Sequence, residues 1–75
     1  MHIAEIGIGG VVYRFGSNTY KWVYKQAVSF AKHYLYHHDS QRVIIISIGD
    51  TLIFVTPAFI GIDASWNDYY RILER

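Results

Sequence analysis

Cysteine is absent from the chain. That excludes a disulfide framework, a thiolate metal site and a thiol nucleophile, and it favours an intracellular home for so small a domain. Charge of either sign is scarce: seven Lys and Arg stand against six Asp and Glu, a formal net of +1. A dedicated nucleic-acid binder carries a strong positive excess, so charge alone nominates no partner class. A basic leader region is missing as well. Met1 to Gly16 holds Glu5 and Arg14 instead, so no secretory signal is expected and a cytoplasmic location is.

Apolar side chains are abundant. They make up 52% of the 75 residues, and aromatics alone make up 17%, above the usual mix for a soluble domain. A chain this short forms one domain, residues 1–75, and buries only about 60% of its unfolded surface. Some of the apolar excess is therefore expected to meet a second copy, as in a homodimer, or another protein.

One segment passes a length test for a membrane helix. Val43 to Ile62 runs twenty residues with Asp50 as its only formal charge. A central Asp costs roughly 2.5–3.5 kcal/mol on insertion. Gly49-Asp50 is also a turn dipeptide, and the Ile, Val, Thr and Phe on either side favour strands. The segment is expected to be a hairpin, with no membrane contact.

The rest of the chain sorts by periodicity. Ala4, Ile6 and Ile8 alternate along one strand, Gly9-Gly10 makes a turn, and Val11, Tyr13 and Phe15 alternate on the return. Ser17 or Asn18 is placed to cap a helix over residues 18–38. On a helical wheel Val23, Ala27, Val28, Ala31 and Leu35 fall together with Tyr20, Tyr24, Phe30 and Tyr34 in one broad apolar arc. The second hairpin joins residues 42–48 to 51–56. Its continuous run Val43-Ile44-Ile45-Ile46 implies a central strand covered on both faces, by a closing helix or by another subunit. Ser65-Trp66-Asn67-Asp68 forms a weak capping box ahead of Tyr69, Tyr70, Ile72 and Leu73, which predicts a short C-terminal helix. The expected fold is α+β in ββα–ββα order: two antiparallel hairpins in one small sheet, packed on one long helix. Residues 6–15 (IGIGGVVYRF) also echo residues 46–55 (ISIGDTLIFV) around their turns.

Few residues arrange themselves for chemistry. His33 and His37 stand four apart, a spacing that can hold a metal, but zinc needs three or four ligands and no third stands at a diagnostic distance. No metal or other cofactor is expected. Gly7-Ile8-Gly9-Gly10 leads into a strand, whereas a phosphate-cradling loop must open a helix. Neither a nucleophile elbow nor a convergent acid pair can be read, so the chain is expected not to be an enzyme.

The informative feature is the wet side of the long helix. Trp22, Ser29 and Tyr36 stand seven apart and stack along one line, rimmed by Lys25, Gln26, His33 and His37. Tryptophan, tyrosine and arginine dominate the energetic centres of protein interfaces, so Trp22, Lys25, Gln26, Ser29, His33 and Tyr36 form the candidate site for a protein target. An alternative places nucleic acid against Lys21, Lys25 and Lys32 with Arg14 adjacent, since aromatics among basic residues can stack bases. No family motif matches residue by residue. In general character, a cysteine-free α+β domain without a readable catalytic site resembles the small accessory proteins of phages and mobile elements. That resemblance implies an inhibitor of anti-CRISPR or other anti-defence type, which docks on a larger host complex and blocks it in the host cytoplasm.

Overall fold

The computed structural model describes residues 1–37, 43–57 and 70–75. Six elements follow in order: β1 (His2–Ile8), β2 (Val11–Ser17), α1 (Tyr20–His37), β3 (Ile44–Ile48), β4 (Thr51–Pro57) and β5 (Tyr70–Glu74). The strands form one fully antiparallel sheet in the order β2-β1-β3-β4-β5. Helix α1 lies across one face of it, mainly over β1 and β2. The α+β class, the antiparallel sheet and the long helix agree with the sequence reading. Among the described residues no helix is long and apolar enough to cross a membrane, and residues 44–57 of the tested run are β3 and β4.

Both turns follow from glycine. Gly9 and Gly10 take φ of 59° and 83°, the two positive angles of a type I′ turn, which only glycine adopts without a Cβ clash. At the second turn Gly49 alone is positive, at 60°, the pattern of type II′, so Asp50 is accommodated without strain. The echo between the hairpins extends to their pairing. Ile8↔Val11 and Ala4↔Phe15 in the first correspond to Ile48↔Thr51 and Ile44↔Val55 in the second. Because β1 pairs with β3 about Ile6↔Ile46, the four strands are related by a local two-fold axis through that pair.

The core is the set of side chains that alternation turns toward α1. Ala4, Ile6 and Ile8 of β1, Ile44, Ile46 and Ile48 of β3, and Ile53 and Val55 of β4 meet Val23, Ala27, Val28, Ala31 and Leu35 of the helix. Tyr13 and Phe15 of β2 lie against Phe30, with ring centroids 4.7 and 5.4 Å away. These spacings suit tilted aromatic packing.

Three expectations change. The helix is capped by Thr19, whose carbonyl accepts from the Trp22 and Val23 N–H groups. Ser17 Oγ instead accepts from the Thr19 N–H at 3.2 Å, two residues too early to be the cap. The closing helix is not formed over Tyr70–Glu74, which is strand β5. There Ile72 lies opposite Val55 and Leu73 opposite Phe54. Two adjacent apolar residues fit the first turn of a helix and a half-buried strand equally well. The unpaired edge of β4 decides between them by accepting a ladder. The ladder continues past β5, since Leu52 and Arg75 exchange both backbone hydrogen bonds at 3.1 and 2.8 Å. The capping box at residues 65–68 and Tyr69 lie outside the described residues, as do His38 and residues 39–42. Finally, β5 extends the sheet sideways, so the side of the sheet away from α1 is not covered by any described element.

The end of β5 is tied to the start of the helix. Tyr20 Oη donates to Glu74 Oε1 at 3.1 Å, and His2 meets the Tyr20 ring edge-on, 5.7 Å between centroids. Desolvation first, and then the Glu74 carboxylate, push the Tyr20 phenol above its ordinary value; the same two causes act on Tyr24. A pKa raised on folding adds stability that is complete below the unfolded value and fades as pH climbs through the folded one. Stability should therefore hold through neutral pH and decline above pH ~10. Denaturant titrations at alkaline pH should show a shallower decline in Tyr20→Phe, and an unchanged slope would contradict this reading.

Candidate protein-binding face

Helix α1 turns one stripe into the core and the opposite stripe outward. Trp22 is 56% exposed and Tyr36 is 59% exposed. Ser29 between them is exposed as well. The three lie along one side of the helix over a span of about 21 Å, given 1.5 Å of rise per residue. Lys25 and His33 flank the line and are exposed, whereas Gln26 is half-buried. Its carboxamide Oε1 is buried and makes no hydrogen bond among the described residues. The His33 and His37 rings lie 4.2 Å apart, tilted by 48°, and the Tyr36 ring meets His37 edge-on at 5.0 Å. The six residues singled out from the sequence thus share one face, with Gln26 set at its edge.

The basic set divides. Phe30 rests on Tyr13 and Phe15, which marks the side of the helix that lies over β2. On the wheel Lys21, Lys25 and Lys32 project from the other flank, with Lys32 half-buried. Arg14 sits on β2 between Tyr13 and Phe15, and strand alternation sends it to the far side of the sheet. There its Nε lies 3.5 Å from Glu5 Oε2, with both side chains mostly in solvent. An ion pair so exposed contributes about 0–1 kcal/mol. Arg14 therefore does not join the lysines.

Among the described residues no three His, Asp or Glu side chains gather as a metal set. His38 and Asp39, which follow the His33–His37 pair in the chain, lie outside the described residues.

Sequence reasoning expected the second face of β3 to be covered but named no residues beyond the Val43–Ile46 run itself. Ile3, Val12, Ile45, Leu52 and Leu73, each between 39% and 54% exposed, all point away from α1. The uninterrupted Val43–Ile46 run was its signal, because a strand facing water on one side would alternate with polar residues.

No family model, curated protein or solved structure matches the chain.

Proposed function

We propose that this chain is a small non-catalytic protein-binding module that occludes a larger partner through the outer face of α1. The observation that carries this reading is the pair Trp22 and Tyr36, both more than half exposed on a line shared with Ser29. An exposed tryptophan costs the monomer hydration without adding packing, and it becomes favourable when a partner covers it. Rigid aromatics rimmed by lysine and histidine are the composition of an interface centre with a polar rim. The small inhibitors of phages and mobile elements that block a host complex are the type of protein this reading fits.

The alternative is a nucleic-acid regulator. It rests on Lys21, Lys25 and Lys32 beside Trp22, without Arg14. Three phosphate contacts imply a salt slope of only about −2 to −3 in log–log form, the signature of weak and non-specific binding.

Capture on the immobilised chain from a host extract, at low and high salt, tests both. We expect a protein that is retained at high salt and lost with Trp22→Ala, whose affinity falls about thirty-fold or more if Trp22 contributes the ~2 kcal/mol of an interface centre. Nucleic acid released by salt and abolished by Lys21→Glu with Lys25→Glu would establish the alternative. Capture indifferent to Trp22→Ala would reject the helix face.

A further inference from the structure

We propose that the side of the sheet that no described element covers is a self-interface, on which two copies stack face to face as helix–sheet–sheet–helix. This rests on different residues from the helix-face reading, and the two stand or fall separately. Strand pairing sets Val12 beside Gly7, and Ile45, Phe54 and Leu73 side by side. The β1–β3 register, continued one residue past its last pair Ile6↔Ile46, brings Gly7 next to Ile45 and joins the two sets into one row across the sheet. Val12, Ile45 and Leu73 are each about half exposed (54%, 48% and 52%). At Gly7 the row has a gap, since a Cβ built there meets nothing within 4 Å.

The row is complementary to itself. Ile45 is its middle member, with Gly7 one strand away on one side and Phe54 one strand away on the other. A two-fold axis through Ile45, parallel to the strands, sets Phe54 of each copy over the Gly7 gap of its partner. The same rotation sets Val12 against Leu73 and Ile45 against its own symmetry mate. A surface that meets its own image in this way is what an isologous dimer requires. A bulky side chain opposite a glycine lets two sheets reach the ~10 Å spacing of a packed sandwich. The charges lie in the next row, Arg14-Glu5-Ser47-Leu52-Arg75, where the same rotation sets Arg14 of each copy over Arg75 of the other at the lateral edges, with Glu5 one strand from both. The Arg75 guanidinium stands 6.0 Å from the Phe54 ring centroid.

The area is that of a small interface. Five strands about 4.8 Å apart, each five to seven residues long at ~3.3 Å per residue, give a flat footprint of roughly 400–550 Å². A standard interface covers ~800 Å² per partner, so the whole face, charged row included, has to be engaged. The same stacking accounts for a β3 strand that is apolar on both faces, as sandwich strands are when covered twice. It leaves both helices outward, so a dimer presents two Trp22–Tyr36 lines.

Light scattering coupled to size exclusion tests this on the full chain. The wild type should run at twice the 8.7 kDa of one chain. Ile45→Lys should halve that mass with unchanged circular dichroism, because the substituted side chain is solvent-exposed in the monomer. Gly7→Val is the second variant. It adds a β-branched side chain in open space, favourable for the lone strand, yet it fills the gap and should weaken the dimer at least ten-fold. Trp22→Ala should leave the mass unchanged. A wild-type monomer, including one covered by its own residues 58–69, would overturn the proposal, and so would a dimer that Ile45→Lys leaves intact or that Trp22→Ala dissociates.

Discussion

Ile46→Ala should leave the domain barely folded at room temperature, whereas the neighbouring Ile45→Ala should cost little. Ile46 is fully buried at the local two-fold axis, facing Ile6 on one side and Ile53 on the other. Removing three carbons there forfeits transfer free energy and leaves a cavity that flanking strands cannot close, a loss of about 2–5 kcal/mol. A chain of 75 residues has only about 4–11 kcal/mol of stability in total. The change should lower the melting temperature by roughly 10–30 °C. In urea it should move the midpoint while leaving the slope unchanged, since the surface exposed on unfolding is the same. Ile45, one residue earlier, points to the opposite side and is about half exposed. Its truncation should shift the midpoint by no more than about 0.5–1 kcal/mol, unless the dimer that it centres contributes to stability. Measuring both variants at two protein concentrations separates the terms. Equal losses at the two sites would mean that the sheet is covered on both faces within one chain.

What was legible in the sequence was local. Glycine at the turns and period-two alternation located both hairpins to within about two residues. The 3.6-residue spacing of Val23, Ala27, Ala31 and Leu35 identified the buried stripe of α1, and all four are fully buried. Tertiary competition was not legible. Whether Tyr70–Glu74 becomes a helix or a strand depends on the edge that β4 offers, and that edge exists only once the sheet has formed. The N-cap was misplaced by one or two residues for a related reason. Ser17, Asn18 and Thr19 are all competent caps, and the geometry of the strand exit selects Thr19.

The candidate site divides in the same way. Residues on a single helix can be assigned to a face from their spacing, so Trp22, Ser29, His33 and Tyr36 came out together. Arg14 is on a different element, and its separation from the lysines required knowing which way β2 alternates. The open sheet face was visible only as a puzzle, an isoleucine run with one helix to cover it. Its resolution needed the strand order, which places β5 beside the sheet and leaves the face bare among the described residues.

The tightness of the helix–sheet contact supplies the second large effect. Ala27 and Ala31 occupy the middle of the buried stripe, and both are fully buried, as is Ala4 on β1 beneath the helix. Small residues at successive turns let the helix axis come close to the strands, so that Val23 and Leu35 reach the isoleucines on either side. Ala27→Leu keeps helix propensity almost unchanged. Three added carbons must nonetheless push α1 off β1 or force strained rotamers, at about 1–3 kcal/mol. The same incoming side chain at exposed Ser29, Ser29→Leu, should change stability by less than about 0.5 kcal/mol. The pair separates position from the incoming side chain, because charge is unchanged in both and the small difference in helix propensity favours leucine at position 29 by only about a few tenths of a kcal/mol. Denaturant midpoints that fall together would mean that α1 does not rest on the sheet through Ala27. A loss confined to Ala27→Leu would mark this seam as the contact that fixes how closely the helix approaches β1, and hence which stripe, with Trp22 and Tyr36, is left to face a partner.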